Sequence, residues 1–335
     1  MFNQKQITLV ADIGGTNSIF ALIDSNMEIL FQKEYKTLEK AAFDDLIKEF
    51  LGLNEVKKFK IQETCIAASG DVSSDRTSVQ LTNVPWTLNS LDIKKYGFKR
   101  VLLINDFEAI GYAYDMLKQS QYVELTSIGR NPAGTVAIIG AGTGLGVSIL
   151  HYHKKHYPMP SEGGHIELWI DPTNKLEVGL YQYLKKNHII LDNESILSGQ
   201  GIINLYNFLL SKNLKHNKKL AIEIKRASIK ERPSLITKYA LEEKDYLCLK
   251  VTELFIIFYA RAAKNLTINT LCKELVIAGG IAPNMLPLMM ESFIEAFTQH
   301  DRKHIRSILE NTTILVLTDR LVSLTGAGNA LRCIE

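Results

Sequence analysis

Short apolar runs that end in glycine, aspartate or asparagine recur along the chain of 335 residues. The first run, Ile7–Val10, leads into Asp-Ile-Gly-Gly-Thr-Asn (12–17), and a second apolar run, Ile19–Ile23, follows at once. Two apolar runs around a bend of this composition predict a β-hairpin. The pattern returns at Val136–Ile139 and Val147–Leu150, around a bend with more glycine. We therefore expect a similar hairpin in each of two similar halves of the chain.

Helical segments alternate with apolar runs through the rest of the chain. The spacing of apolar residues predicts helices at Phe43–Leu51, Asp106–Leu117, Tyr239–Asn269 (broken at most once) and Gly326–Cys333. Short apolar runs predict buried strands at Thr64–Ala68, Val101–Ile104, Leu275–Ala278 and Thr313–Leu317. An alternation of strands and helices indicates the α/β class.

Composition narrows the class of protein without indicating a macromolecular partner. Apolar residues make up 46% of the chain and charged residues 22%, which allows a substantial core and excludes disordered, collagen-like and disulfide-dense proteins. The net charge of +3 gives no global field that would attract nucleic acid. The most basic stretch, Lys212–Arg232, contains no Phe, Tyr or Trp, so we interpret it as a solvated connection or helix face.

The cysteines and the apolar stretches indicate the compartment. None of the four cysteines forms a Cys-x-x-Cys pair, which disfavours a cysteine zinc site. The first apolar run is too short for a signal peptide. The stretches 135–150 and 275–290 are interrupted by glycine or proline and fall short of the roughly 18–20 apolar residues that span a bilayer. We therefore expect a soluble, reduced, cytoplasmic protein with no membrane segment.

The glycine-rich bends do not match the common nucleotide-binding motifs. The Walker pattern GxxxxGK[ST] is absent, and residues 140–146 read GxGxGxG instead of the dinucleotide fingerprint GxGxxG. A glycine bend can nevertheless direct backbone N–H groups at an anion and let a phosphate approach closely. From the pattern alone, each bend is either a phosphate-binding turn, with Thr16 and Thr143 as further donors, or only a bend.

Three polar groups near such bends have the chemistry of a catalytic site, and each also has a structural interpretation. Asp12 suits Mg²⁺, directly or through water, and equally an Asx turn. Asp106, which follows Asn105 at the end of a strand, suits a general base aimed into a cleft or a helix N-cap. Glu162 and His165 flank two glycines and suit either the hydroxyls of a polyol or a structural loop.

Eight segments, spread over nearly the whole chain, resemble those of the bacterial hexokinase-type glucokinases of the sugar kinase, actin and heat-shock ATPase superfamily. The segments are LVADIGGTN (9–17), LTNVPW (81–86), LLINDFEAIGYA (102–113), IIGAGTGLGVS (138–148), EGGHIEL (162–168), ESILSGQGIINLY (194–206), IAGGIAPNML (277–286) and LTGAGNAL (324–331). Any one of them is weak evidence, whereas eight in the order of the family make the resemblance specific.

The resemblance implies a fold and an activity. The implied fold is α/β, with two ribonuclease H-like domains around a deep active-site cleft. A small domain at 1–110, completed by the C-terminal helix at about 320–335, would precede a large domain at 111–319. The implied reaction is the ATP-dependent phosphorylation of D-glucose at its 6-hydroxyl, which feeds glycolysis, with ATP and Mg²⁺ as cofactors. We expect a cytoplasmic homodimer with glucose and ATP as partners and without nucleic acid or a membrane.

The resemblance also implies roles for individual residues. Asp106 matches the catalytic base. The ligands of the sugar hydroxyls match Asn105, Glu162, His165 and Glu194. The first phosphate loop, with Mg²⁺ at Asp12, matches Asp12, Gly14, Gly15, Thr16 and Asn17. The second phosphate loop matches Gly142, Thr143 and Gly144, and the turn beneath the adenosine matches Gly279 and Gly280.

Two features of this chain depart from the pattern of the family. Ile19 follows the first loop where many relatives have a basic residue. The segment Ala67–Asp71 lacks a proline that is often found in relatives, and the chain runs longer before Leu81. This segment borders the sugar site in relatives, so the departure bears on sugar selectivity.

Two alternatives to a glucokinase remain. A kinase for another hexose, such as mannose or an N-acetylated sugar, differs only in the shape of its pocket. A nucleotide-gated binding module without catalysis belongs to another class of protein. A binding module needs no proton acceptor beside a sugar hydroxyl, so Asp106 together with Glu162, His165 and Glu194 favours an enzyme.

Overall fold

The computed structural model describes residues 6–126, 128–131 and 133–334. The chain divides into two compact units. The first takes in the chain up to Gln121, the segment His153–Pro160 and the chain from Asp319 onward. The second consists of Tyr122–Tyr152 and Ser161–Thr318. The predicted boundaries of two domains, 1–110 and 111–319, stay a prediction.

Strands and helices alternate along both units, which confirms the predicted α/β class. The strands are β1 Ile7–Ile13, β2 Asn17–Ile23, β3 Ile29–Lys36, β4 Ile61–Ala68, β5 Gly70–Val72, β6 Ser78–Leu81, β7 Thr87–Asn89, β8 Arg100–Asn105, β9 Tyr122–Glu124, β10 Val136–Ala141, β11 Leu145–His153, β12 Lys155–Ser161, β13 Glu274–Ala278 and β14 Thr313–Leu317. The α-helices are α1 Phe43–Leu51, α2 Asn54–Lys57, α3 Ser90–Lys94, α4 Asp106–Ala113, α5 Lys175–Lys186, α6 Gly199–Ser211, α7 Lys218–Arg226, α8 Arg232–Leu241, α9 Tyr246–Thr270, α10 Ala282–Thr298, α11 Lys303–Glu310 and α12 Val322–Cys333. Short 3₁₀ turns lie at Thr37–Glu39, Tyr114–Met116, Gln119–Gln121 and Gly163–His165.

The main sheet of the first unit has the strand order β3-β2-β1-β4-β8. Strands β1, β2 and β3 are antiparallel neighbours, whereas β1, β4 and β8 run parallel. Asp12 is in register with Ala67, and Ala67 with Ile104. The carboxyl ends of β1 and β8, which carry Asp12 and Asn105, therefore lie at the same edge of the sheet. A second, three-stranded sheet has the order β5-β6-β7.

Both faces of this sheet are buried, because alternate residues of each strand point to opposite sides. Leu9 belongs to a core cluster that includes Phe43 and Phe50 of α1. Val10, the next residue, belongs to a different cluster that includes Leu324 of α12. Helix α12 also packs on α4, and a Cβ added at Gly326 would lie 1.8 Å from the carbonyl oxygen of Ala109. Only glycine permits this close approach, which places the last helix against the helix that begins at Asp106.

The sheet of the second unit contains the strand order β11-β10-β13-β14-β9. Strands β10, β13 and β14 run parallel, and β11 and β9 are antiparallel to their neighbours. Gly140 is in register with Ala278, so the chain leaves β10 and β13 at adjacent points of one edge. The buried hydroxyl of Tyr259, on α9, lies 3.2 Å from both the carbonyl oxygen of Ile139 and the amide nitrogen of Ala141. It can donate to the first and accept from the second, which anchors the long helix at the end of β10.

Most predicted elements are confirmed, and the errors lie at helix ends. Both hairpins form, β1 with β2 and β10 with β11. The helix from Asp106 ends at Ala113, not Leu117, and continues only as a 3₁₀ turn. The long helix predicted at Tyr239–Asn269, with at most one break, has one break, since α8 ends at Leu241 and α9 begins at Tyr246. The last helix begins at Val322 rather than Gly326, because its first turn is buried like the rest. None of the described helices is long and apolar enough to cross a membrane.

Candidate active site

The first glycine bend connects β1 to β2 at residues 14–16. The N–H of Gly14 donates to the carbonyl oxygen of Asn17 at 3.0 Å, which closes the bend. Thr37 braces it from outside, since its Oγ1 donates to the carbonyl oxygen of Gly14 at 2.8 Å. A Cβ added at Gly15 would lie 2.5 Å from the Cβ of Asn83, so this position has no room for a side chain. The bend is thus a narrow turn whose shape is fixed by its own backbone and its neighbours.

Asp12 lies immediately before this bend, near the end of β1. Its Oδ2 accepts a hydrogen bond of 2.5 Å from the hydroxyl of Ser323, at the start of α12. Burial raises the pKa of the Asp12 carboxyl, and the hydrogen bond from Ser323 opposes that rise. No pattern in the sequence indicates Ser323, because it lies far along the chain in an otherwise ordinary amphipathic segment.

Asn105 is the N-cap of α4. Of the two roles that the sequence left open for Asp106, N-cap or general base, the structure therefore excludes the first. Its Oδ1 accepts from the N–H of Phe107 at 2.8 Å and from the N–H of Glu108 at 3.3 Å. Its Nδ2 donates to the carbonyl oxygen of Gly70 at 3.3 Å. The helix therefore has its N-cap at Asn105, and Asp106 is the first helical residue. The carboxyl of Asp106 is not needed as the cap and is available for other chemistry.

The carboxyl of Asp106 has an unusual pKa. Burial raises it, and the negative charge of Asp12 raises it further, to about 7. Hydrogen bonds from the backbone N–H of Phe107 and from the side chain of Ser69 act in the opposite direction. A carboxyl that titrates near neutral pH can accept a proton during a reaction and release it afterwards. Ser69 lies in the segment Ala67–Asp71, which the resemblance placed at the border of the sugar site, but its contact with Asp106 was not expected from the sequence.

The second glycine bend connects β10 to β11 at residues 142–144. The N–H of Gly142 donates to the carbonyl oxygen of Gly144 at 2.8 Å. Oε2 of Glu194 accepts from the N–H of Leu145 at 2.8 Å, and a Cβ added at Gly144 would lie 2.5 Å from that oxygen. The carboxylate of Glu194 therefore packs directly against this bend. On its other side, the N–H of Gly199, which begins α6, donates to the carbonyl oxygen of Gly142 at 2.9 Å.

The turn Gly279–Gly280 lies beside this bend. Gly279 has a φ of +81°, and a Cβ there would lie 2.3 Å from the carbonyl oxygen of Ala141. A Cβ at Gly280 would meet nothing within 4 Å. The left-handed backbone and the close approach both require glycine at position 279, whereas Gly280 borders open space. The turn leads directly into α10, whose N-terminal end carries the partial positive charge of the helix dipole.

Glu162 and His165 are joined by a single 3₁₀ turn. The N–H of His165 donates to the carbonyl oxygen of Glu162 at 3.0 Å, and the N–H of Glu194 donates to the carbonyl oxygen of Gly164 at 3.0 Å. A Cβ added at Gly164 would lie 2.0 Å from the carbonyl oxygen of Leu145. The structure therefore brings Glu162, His165, Glu194 and the second glycine bend into one cluster.

The imidazole of His165 is oriented by a residue that the sequence did not indicate. Nδ1 lies 2.9 Å from Oδ2 of Asp192, a buried carboxylate that also accepts from the N–H of Ser195 at 2.9 Å. This contact raises the pKa of His165, and the charges of Glu194 and Glu162 add to it, although burial acts against them. A carboxylate at Nδ1 favours the tautomer in which Nδ1 carries the proton and Nε2 is the acceptor. Asp192 resembles any other aspartate in the sequence, so only the fold identifies it.

Each unit thus gathers a distinct set of the predicted residues. The first unit brings Asp12, the bend Gly14–Thr16 with Asn17, Asn105 and Asp106 to one sheet edge. The second unit brings together Glu162, His165, Glu194, the bend Gly142–Gly144 and the turn Gly279–Gly280.

The donor set suits Mg²⁺ bound together with a phosphate, and not a metal held by protein alone. The described residues contain no group of three or more His, Cys, Asp or Glu that could hold a metal ion. Mg²⁺ is commonly bound through one or two carboxylates, several waters and the phosphates of a substrate. Asp12 lies beside a glycine bend and close enough to Asp106 to raise the pKa of its carboxyl. A divalent cation would relieve that repulsion, so the residues present fit Mg²⁺.

Comparison with known proteins gives consistent results over the full length. The model of the Glucokinase family matches residues 9–333. A glucokinase of Nostoc punctiforme is 32% identical, over 96% of this chain and 98% of that protein. A glucokinase of Shigella flexneri is 30% identical, over 97% and 96%. The crystal structure of a glucokinase from an Antarctic psychrotroph has a TM-score of 0.78 at 27% identity and covers 98% of this chain and 100% of its own. The glucokinase of Balamuthia mandrillaris, solved in complex with glucose, shares the fold at a TM-score of 0.80 and 22% identity, over 98% of this chain and 94% of its own.

Proposed function

Because the chain belongs to the glucokinase family, we propose that Asp106 is the general base with which it phosphorylates glucose. The enzyme transfers a phosphoryl group from ATP to the 6-hydroxyl of D-glucose and releases glucose 6-phosphate and ADP. One observation carries the role of Asp106. Its carboxyl lies beside Asp12 at the sheet edge where the parallel strands β1, β4 and β8 end, is not the cap of its helix, and has a pKa of about 7.

The reaction needs a proton acceptor, because a sugar hydroxyl is a weak nucleophile at neutral pH. As the bond from the 6-oxygen to phosphorus forms, the hydroxyl proton passes to Asp106. The bond between the transferred phosphorus and the β-phosphate oxygen of ATP breaks, and ADP leaves with that electron pair. A pKa near 7 keeps a large fraction of Asp106 ionised at neutral pH, yet leaves it basic enough to take the proton.

Asp12 and the bend Gly14–Asn17 would bind the phosphates of ATP in the first unit. Mg²⁺, held at Asp12 directly or through water, supplies charge neutralisation for the transferring phosphoryl group. Asp12 is held in place by Ser323, and the narrow bend behind it leaves the backbone of Gly15 without a side chain that would obstruct a phosphate. These features support the binding of MgATP phosphates at Asp12 and the bend, without further metal ligands from the protein.

The bend Gly142–Gly144 and the turn Gly279–Gly280 would bind the nucleotide in the second unit. Both leave the carboxyl ends of neighbouring parallel strands, where α/β proteins commonly bind ligands. Thr143 would add a hydroxyl donor. The N-terminal ends of α6 and α10 carry the partial positive charge of a helix dipole, which would also favour a bound anion. Gly280, with open space around it, would lie beneath the adenosine.

Asn105, Glu162, His165 and Glu194 would bind the hydroxyls of glucose. Carboxylates and the neutral imidazole accept hydrogen bonds from hydroxyls, and an amide Nδ2 donates them. Oδ1 of Asn105 is already used by the cap of α4, so we assign its Nδ2 to the sugar. Asp192 would hold Nε2 of His165 as an acceptor toward a hydroxyl.

We further propose that the enzyme acts in the cytoplasm as a homodimer. Light scattering on the purified protein would test the oligomeric state.

An assay of ATP turnover against a panel of hexoses tests the substrate. A site whose polar groups require hydroxyl partners rejects a sugar that leaves one of them unpaired, at about 1–3 kcal/mol, or roughly 5- to 150-fold. We expect glucose to exceed galactose and fructose clearly in kcat/KM, and mannose or 2-deoxyglucose to be tolerated best among the analogues. A higher kcat/KM for mannose or for an N-acetylated sugar would reassign the enzyme to that substrate, and no turnover with any sugar would indicate a binding module.

A further inference from the structure

An ion pair between a half-buried arginine and a buried glutamate joins the helix of Asp106 to a neighbouring hairpin, and no role of it follows from the reaction. We propose that Arg76 is a positioning residue, which holds the first turn of α4, and with it Asp106, against the hairpin formed by β5 and β6. The inference rests on the proposed role of Asp106 as the base. Arg76 touches no reacting group and would act through Glu108.

The contact between Arg76 and Glu108 has the geometry of a rigid clamp. One terminal nitrogen of the guanidinium lies 2.9 Å from Oε2 of Glu108, and the other lies 2.6 Å from Oε1. Glu108 is 1% exposed, and its carboxylate is therefore largely removed from water. A bidentate pair of this kind fixes both side chains in direction as well as distance. Glu108 is thus held at one point, two residues beyond Asp106 in the same helical turn.

Arg76 lies in the turn between β5 and β6, and several hydrogen bonds order this turn. The N–H of Arg76 donates to the carbonyl oxygen of Ser73 at 2.8 Å, and the Oγ of Ser73 accepts from the N–H groups of Thr77 and Ser78 at 3.1 and 3.0 Å. Arg76 has a φ of +56°, in the left-handed region that residues with a Cβ rarely adopt. The turn keeps this unfavourable backbone at a position where the side chain reaches Glu108. Strained backbone conformations of this kind occur more often at functional sites, where the surrounding structure holds them in place.

A second contact ties the same hairpin to the same helical turn. Nδ2 of Asn105 donates to the carbonyl oxygen of Gly70, the first residue of β5. The N–H of Glu108 donates to Oδ1 of Asn105, so the two ties share the capping interaction. Arg76, Glu108 and Asn105 form a continuous chain of contacts that ends at the residue next to Asp106.

Such a tie affects catalysis because proton transfer depends on short distances. A base that is displaced by about 1 Å from its acceptor geometry can lose as much as 10²-fold in rate. Arg76 also neutralises the charge of Glu108, whose carboxylate is buried. The interaction is therefore expected to act on kcat, with little effect on the binding of ATP.

The test compares variants of Arg76 and Glu108 in the full-length protein. Removing one partner would leave a buried charge, so the main variant is the double substitution Arg76→Met/Glu108→Met, since apolar pairs of similar volume often replace buried ion pairs without loss of stability. Arg76→Lys keeps the charge but not the fork. Arg130→Met/Glu274→Met is the matched control, because Arg130 also pairs with a buried glutamate, Glu274. That glutamate is the first residue of β13, at the end of the strand opposite the glycine turns.

Steady-state kinetics and hydrogen exchange give separate measurements. For the double variant we expect kcat to fall about tenfold or more, KM for ATP to stay within about twofold, and the amides of Phe107–Ile110 to exchange faster. Arg76→Lys should recover part of the lost kcat. The control should keep its kcat within about twofold of the wild type.

Three outcomes would overturn the inference. If the double variant folds with a wild-type kcat, Arg76 has a structural role only. If it does not fold, Arg76→Lys decides, and a wild-type kcat with unchanged exchange in α4 contradicts positioning. A large loss of kcat in Asp106→Asn alongside a wild-type kcat in the double variant removes only this inference. A wild-type kcat in Asp106→Asn removes the proposed base and this inference with it.

Discussion

Ser323 donates a hydrogen bond of 2.5 Å to Oδ2 of Asp12, although 311 positions separate the two residues in the chain. The contact exists because α12 packs against β1 and α4 and brings its first turn to the end of β1. It partly offsets the effect of burial on the carboxyl of Asp12. The last helix of the chain thus contributes directly to a residue of the proposed phosphate site.

Ser323→Ala should therefore weaken the binding of MgATP more than that of glucose. The lost hydrogen bond raises the pKa of Asp12 and frees its carboxyl to rotate, so KM for MgATP should rise roughly three- to tenfold, which corresponds to the net contribution of a typical intramolecular hydrogen bond, about 0.5–1.5 kcal/mol. KM for glucose should change less than twofold. Thr325→Ala removes a hydroxyl from the same helix and serves as the control. Equal changes in both KM values would show that α12 supports the whole unit and not Asp12 in particular.

Asp106→Asn tests the proposed base directly. Asparagine keeps the size and the polar character of the side chain but cannot take a proton, so kcat should fall by roughly 10²–10⁴. The affinity for glucose, measured by calorimetry, should stay within a few-fold of the wild type. A kcat near the wild-type value would mean that Asp106 only supports the start of α4 and that the proposed mechanism is wrong.

The same substitution should make the protein more stable at alkaline pH. The pKa of Asp106 is about 7 in the folded protein against a usual value near 3.8, so between these values the folded state keeps a proton that the unfolded state has lost. The contribution of Asp106 to the free energy of unfolding is fully present below pH 3.8 and is lost as the pH rises through 7. Relative to the wild type, Asp106→Asn should therefore gain roughly 2 kcal/mol more at pH 8 than at pH 5.

Urea unfolding at the two pH values, without substrates, measures this difference. The wild type and the variant share every other titrating group, so the comparison isolates the pair of Asp106 with Asp12. The same gain at both pH values would contradict the raised pKa of Asp106. It would leave the loss of kcat in the variant to be explained by geometry alone.

His165→Ala should affect the sugar and not the nucleotide. The imidazole belongs to the cluster of Glu162 and Glu194, and its loss would leave a hydroxyl of glucose without its partner. KM for glucose should rise about tenfold, while KM for ATP stays within about twofold. Kinetics with each substrate varied in turn separate the two effects. A rise for ATP alone would move His165 out of the sugar site.

The parts of the fold that depend on local pattern were predictable. The two hairpins follow from apolar runs around bends rich in glycine, and the strands that carry Asp12 and Asn105 follow from short buried runs. The role of Asp106 was open between the N-cap of α4 and a general base, because Asp suits both, and the adjacent Asn105 is almost equally good as a cap. Only the path of the backbone decides which of the two faces the free N–H groups.

The partners that adjust the site were not predictable from the sequence. Ser323, Asp192 and Ser69 act through contacts between segments that are distant in the chain. Their residue types are common, and nothing in their immediate neighbours distinguishes them. The ends of helices were also predicted poorly, since the first turn of α12 and the end of α4 depend on packing and not on periodicity.

Asp192→Asn tests whether the buried carboxylate controls His165. The contact of 2.9 Å between Oδ2 of Asp192 and Nδ1 of His165 is the largest cause of the raised pKa of that imidazole. An amide cannot stabilise the imidazolium, so the pKa of His165 should fall in the variant. It also holds the tautomer less firmly, so KM for glucose should rise by several-fold. A titration of the imidazole by NMR, with Asp171→Asn as a control for a carboxylate elsewhere in the same unit, measures the first effect. An unchanged titration of His165 in Asp192→Asn would mean that the charges of Glu162 and Glu194 govern the imidazole, and that Asp192 serves only to hold the N–H of Ser195.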